Sequence, residues 1–407
     1  MEKGNDTFQG NTSTIGAKFA GRARFVFPPY SYEYDRTHWE DIEITSDAIR
    51  LDDGGWPAEH QLPDHIVKAA RDCMENGSKY VHTGSLELRE AIAEKLERDN
   101  GLAVDPKDEL LLTNGASEAM FLSVWSLIDE GDEVIFADPG YVCGWAPNVL
   151  MSGGRMVYVP AKQDRNFRID PRDVEGKITK RTKLIAISTP DQPTGAVPEK
   201  DDLRAISALA VDHDLVVVYD ESFENIMYRP YPGSIGAVAG MEDRTITING
   251  FAKSYGMPGY RIGYVTGPED FIDRVARMQS HTTVCASDVG QAAALAALIG
   301  PRDWVKQTIR GFKARRDLLV DGLNKIPGVD CSKPDGFFSA FPNIRSFGMS
   351  SHDFVRYLLK EAHVKVGYGR GLWGNGSEGY VSVNFSSVTD AQISEGVRRI
   401  HAALDKL

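Results

Sequence analysis

The chain has 407 residues, 42% of them hydrophobic, and a formal net charge of -12. That is enough chain for two or three domains with a sizeable core, and the acidic balance argues against nucleic acid or anionic membrane as a partner. No apolar run approaches the ~20 residues that a membrane-spanning helix needs. The polar stretch 1–16 lacks the apolar segment of a signal peptide, and the scattered Cys73, Cys143, Cys285 and Cys331 show no metal-ligand spacing and fit the reduced thiols of a cytoplasmic protein.

Residues 1–50 read as an N-terminal arm, frayed at its start. Its aromatic residues and Pro28-Pro29 suit an extended segment packed on something else, such as a second subunit. A glycine loop at 52–57 follows, and then apolar spacing predicts helices over 62–73 and 86–98. Leu110–Thr113 is a short buried strand running into Asn114-Gly115-Ala116-Ser117 and a helix over 118–128. Such a strand, turn and helix start can hold an anion with free backbone N–H groups; it is equally a helix capped by Ser117 or Asn114. Further strands are predicted at 133–137, 155–159, 182–188, 215–219, 245–248 and 260–266, with a helix over 200–213 among them. Short apolar strands alternating with helices predict an α/β fold, a mostly parallel central sheet covered by helices. This large domain is expected to span 51–300. A long helix over 304–325 leads into a smaller α+β domain, 301–407, with strands near 337–341, 364–366 and 380–385. Its helices are expected over 351–361 and 389–404.

Ligands of such sheets bind at the carboxyl ends of the strands. Gly115, Tyr141, Gln192, Asp220 and Lys253 all stand just past predicted strand ends. Lys253 sits in N-G-F-A-K-S-Y-G-M-P-G-Y-R-I-G-Y (residues 249–264), and Arg261 follows it in the same run. A lysine amine forms a Schiff base with an aldehyde, and an arginine forks onto a phosphate. An aldehyde that carries a phosphate is pyridoxal 5'-phosphate, PLP. Asp220 is either a turn former or a carboxylate that keeps a pyridine nitrogen protonated. Tyr141 is either core or a ring stacked on a cofactor.

The chain resembles the class I/II aminotransferases, the fold-type I PLP enzymes, from about Arg50 to its C-terminus. The resemblance rests on Y-V-H-T-G-S-L-E-L-R, T-N-G-A-S-E-A, D-P-G-Y, T-P-D-Q-P-T-G, D-E-S-F, F-A-K-S-Y-G-M-P-G-Y-R-I-G-Y and K-P-D-G-F-F-S-A-F, all in the family's order. It implies that Lys253 is the Schiff-base lysine and proton carrier and that Asp220 pairs with the pyridine nitrogen. Tyr141 would stack on the ring, and Gly115, Ala116, Ser117 and Arg261 would hold the phosphate. Gln192 and Phe223 would lie near the phenolic oxygen, and Tyr80 would reach the phosphate in the neighbouring subunit of a homodimer. Gly55, Arg370 and Ser382 are the expected substrate contacts. Four positions depart from the family's usual residues: Gln192 for asparagine, Phe223 for tyrosine, Gly250 for serine, and Ser382 for the arginine that clamps a substrate carboxylate. Arg370 in G-Y-G-R-G-L-W-G is the candidate replacement.

The expected function is therefore a PLP enzyme acting at the α-carbon of a small amino acid or amine, foremost an aminotransferase. Phe223 and Ser382 keep open a lyase, cyclase or oxidase on the same carbanion chemistry. A non-enzymatic PLP sensor would need an attached DNA-binding segment, for which the lead before Arg50 is too short.

Overall fold

The computed structural model describes residues 44–407, apart from Asp53, Ala58, Glu59, Arg370 and Gly371. The expected N-terminal arm thus falls almost wholly outside the described residues. The strands are β1 (Ile49–Leu51), β2 (Leu110–Thr113), β3 (Glu133–Asp138), β4 (Arg155–Pro160), β5 (Thr182–Ser188), β6 (Val216–Asp220), β7 (Thr245–Gly250), β8 (Gly263–Thr266), β9 (Ser339–Ala340), β10 (Val364–Tyr368) and β11 (Val381–Asn384). Seven of them form one sheet in the order β2-β8-β7-β6-β5-β3-β4, and four form a second in the order β1-β10-β11-β9.

β3 to β7 are mutually parallel where they pair. Their apolar runs alternate between two cores, as a strand's period of two requires. Val134, Phe136, Leu184, Ala186 and Val218 pack on one face, and Ile135, Ile185, Ile187, Val217 and Tyr219 on the other. Helices cover both faces, which is why the middles of β3, β5 and β6 are continuous apolar runs. β8 is the exception in direction, antiparallel to both β7 and β2. It is shorter than the expected 260–266, because Pro258–Tyr260 forms a 3-10 turn and only Gly263–Thr266 pairs. The reversal matters for the site. The start of β8 lies beside the ends of β7 and β2, with Gly263 opposite both Gly250 and Thr113. Arg261 is therefore returned to the carboxyl edge that also carries Lys253.

The second sheet is amphipathic. Leu51, Val364, Val366, Val381 and Val383 pack with residues of the helices Asp303–Leu323, Ser351–Ala362 and Asp390–Leu404 in one core. β1 belongs here rather than to a leading arm: Ile49 pairs with Val364 and Leu51 with Val366. No helix among the described residues is long and apolar enough to cross a membrane.

Candidate active site

The carboxyl edge of the large sheet holds a cavity of about 270 Å³ built from three strand ends. The first is β6, which ends on Asp220. This carboxylate is buried, and its Oδ1 accepts two hydrogen bonds from Ser222, one from the backbone N–H at 3.0 Å and one from Oγ at 2.6 Å. Burial pushes the Asp220 carboxyl upward, and the Ser222 bonds oppose that rise by favouring the ionised form.

The second end is β7. Gly250 closes it, and a single helical turn, Phe251–Ser254, carries Lys253. Lys253 Nζ stands 5.8 Å from the Phe223 ring centroid and 5.5 Å from that of Phe338. The backbone carbonyl of Lys253 accepts from Trp56 Nε1 at 2.6 Å. Ser254 Oγ donates to the Ser222 carbonyl at 3.0 Å, which ties the lysine turn to the aspartate turn.

The third end is β2 and the turn beyond it. Gly115, at φ 84°, precedes the helix Ala116–Leu127, and no side chain caps that helix. Neither Ser117 nor Asn114 therefore acts as the cap; the Glu118 N–H donates to the Gly115 carbonyl at 3.2 Å, which leaves the N–H groups of Ala116 and Ser117 for a ligand. A Cβ at Gly115 would lie 2.6 Å from Arg261 Nη2, and one at Gly263 would lie 2.5 Å from the Ala116 nitrogen, so both close approaches require glycine. Arg261 donates to the carbonyls of Pro258 at 3.1 Å and Asn114 at 3.2 Å, which holds its guanidinium beside the helix start. Open N–H groups, a helix dipole and a fixed guanidinium together form a cradle for a phosphate-sized anion.

Tyr141 and Gln192 complete the walls. Both backbone N–H groups donate to Asp191 Oδ1, at 3.3 and 2.9 Å. Asp191 is buried, and that burial drives its carboxyl well above the usual range. Gly144 leaves room for the Tyr141 ring, since a Cβ there would collide with it.

Ala116, Ser117, Tyr141, Gln192, Asp220, Phe223, Lys253 and Arg261 all line this one cavity. Among the described residues, Gly115, Tyr80, Gly55 and Ser382 are not part of its lining. Tyr80 is 77% exposed. Gly55 donates its N–H to Ser386 Oγ at 3.2 Å and has open space around it. The glycine that packing demands is its neighbour Gly54, where a Cβ would lie 2.5 Å from Phe338 Cε2. Ser382 is half-buried on β11, opposite Gly367 of β10. Arg370 lies outside the described residues. Sequence reasoning missed Ser222, Met120 and Asn148, which also line the cavity. The D-E-S-F motif contained the first of these, but nothing in it marked the serine as an Asp220 ligand.

Residues 46–400 match the family described as aminotransferase class I and II, and the chain belongs to that family of enzymes. An aromatic-amino-acid aminotransferase from Thermococcus litoralis is 35% identical over 351 residues, 85% of this chain and 89% of that protein. An aspartate aminotransferase from Pyrococcus abyssi is 35% identical over 351 residues, with the same coverage of 85% and 89%. The crystal structure of the aspartate aminotransferase from Rhizobium meliloti superposes with a TM-score of 0.89 at 31% identity, covering 96% of this chain and 99% of that one.

Proposed function

We propose that the cavity holds pyridoxal 5'-phosphate and that the protein transfers the amino group of an amino acid to a keto acid. The observation that carries this reading is the convergence of Lys253, buried Asp220 and an anion cradle on one cavity. The residues fit the cofactor's three chemical ends. The uncapped helix start and Arg261 suit its phosphate, the Asp220 carboxylate suits a protonated ring nitrogen, and Lys253 Nζ suits its aldehyde carbon. When bound, this cofactor supplies a carbon that condenses with amines and a ring that takes up the electron pair left when a Cα–H bond breaks.

The protein supplies binding and proton movement. Lys253 Nζ takes the proton from Cα and returns it on the other side of the transfer. Phe223 and Phe338 flank Nζ and keep water from it. Asp220 holds charge opposite the ring nitrogen, and Tyr141 provides a flat wall. The relatives' names favour transfer over elimination, cyclisation or oxidation, and they include both aspartate and aromatic amino acids as substrates. We further propose a cytoplasmic homodimer, in which exposed Tyr80 of each chain completes the other's phosphate site.

Borohydride treatment of the loaded, yellow protein should fix the cofactor on a peptide containing Lys253. Addition of a donor amino acid alone should accumulate pyridoxamine phosphate. Lys253→Ala should abolish both. Wild-type protein that stays colourless in excess PLP would refute the assignment.

A further inference from the structure

We propose that Ser222 is a positioning residue for Asp220, holding Oδ1 so that Oδ2 alone faces a protonated ring nitrogen. The inference rests on the reading of the cavity as a PLP site. Its own basis is geometric. Ser222 is 7% exposed, lines the cavity, and directs both its N–H and its hydroxyl at one oxygen of Asp220. Two donors on Oδ1 fix the carboxylate's rotation. They also offset part of the desolvation that favours the neutral acid, a form that offers no negative charge to a pyridinium.

The Ser222 unit extends to the lysine. Ser254 Oγ donates to the Ser222 carbonyl at 3.0 Å. Asn225 donates to Ser254 twice, from its N–H to Oγ at 3.5 Å and from Nδ2 to the carbonyl at 3.4 Å. The turn that presents Asp220 and the turn that presents Lys253 are therefore tied to each other by hydrogen bonds. A hydroxyl at position 222 sets how the acid meets the ring relative to where the amine meets the aldehyde.

The test compares two probes, PLP and its deaza analogue, in which a C–H replaces the ring nitrogen. Dissociation constants are measured for wild-type, Ser222→Ala and Ser222→Thr proteins. Ser222→Ala keeps the backbone bond and loses the hydroxyl. Its affinity for PLP should fall about 10-fold, the usual cost of one hydrogen bond to a charged group, while affinity for the deaza analogue stays close to wild type. Ser222→Thr retains the hydroxyl and should restore much of the PLP affinity. Equal weakening of both probes by Ser222→Ala would make the serine merely structural, and no weakening of either would remove its role; both outcomes overturn the proposal. Wild-type protein that fails to bind PLP at all would instead overturn the cofactor reading, so the two failures are distinguishable.

Discussion

Gly250 shows how much a missing side chain decides at the phosphate end of the proposed cofactor site. Its backbone is extended, at φ -172°, so glycine is not needed there for conformation. A Cβ on it would lie 3.5 Å from the Ala116 nitrogen and 3.3 Å from the Ile262 carbonyl, on the rim of the anion cradle. A hydroxyl one atom further out would reach a bound phosphate. Gly250→Ser should therefore tighten PLP binding by about 10-fold, the worth of one added hydrogen bond to a charged group. Equilibrium dialysis of the apoprotein would measure it, and weaker binding would place the phosphate elsewhere. Gly263 permits no such gain. A Cβ there would lie only 2.5 Å from the Ala116 nitrogen and the Gly115 carbonyl carbon, so any side chain would push the start of the helix Ala116–Leu127.

Behind the Asp220 turn, helix, strand and loop meet in a buried polar knot. Lys95 pairs with Glu224 and donates to Asn100 Oδ1 at 2.7 Å. Asn100 Nδ2 donates to Glu221 Oε2 and Glu224 Oε2, at 2.8 Å each, and Tyr231 shares a hydrogen bond with Glu221. One ammonium neutralises one carboxylate, so the other keeps its proton: burial, then the Glu224 charge, push Glu221 up to about 8. The sign of the pH effect follows. Between the ordinary value of 4.5 and about 8 the folded chain holds a proton that the unfolded chain has released, so stability falls as pH rises through that window. Thermal melts across the same window should show a shallower decline for Glu221→Gln, which cannot ionise. Identical slopes would mean that Glu221 is already charged in the fold. The knot also explains a limit of the sequence reading. A single helix over 86–98 was the expectation, yet it widens into a π turn at Leu96–Asn100. That wider turn brings Asn100 under Lys95, five residues before it, and both reach carboxylates more than a hundred residues away. Local periodicity carries no trace of such partners. By contrast, short apolar runs marked β3, β5 and β7, and residues just past their ends line the cavity. The need for a glycine at position 54 was likewise invisible, because it comes from packing against Phe338 and Asn384, which are distant in the sequence.

For the whole molecule, the proposed dimer makes a sharp demand on Tyr80. Its ring is 77% exposed on the single chain, so it is open to a second subunit. If it serves the partner's phosphate, then Tyr80→Ala and Lys253→Ala proteins, each impaired alone, should regain activity when unfolded and refolded as a mixture. One site of each hybrid then has an intact lysine from one chain and an intact tyrosine from the other. Recovery no greater than the sum of the parents would confine Tyr80 to its own chain. The segment joining the two sheets has a separate consequence. Trp56 lies in that segment, wedged over Gly256, where a Cβ would lie 2.6 Å from the indole, and its N–H is bound to the Lys253 carbonyl. This places an intrinsic fluorophore against the same residue that carries the amine proposed to take the chromophore. Loading with PLP should quench tryptophan emission by resonance energy transfer, and Trp56→Phe should show a smaller fractional quench. The chain thereby carries its own optical gauge of cofactor occupancy, readable in the ultraviolet without any substrate.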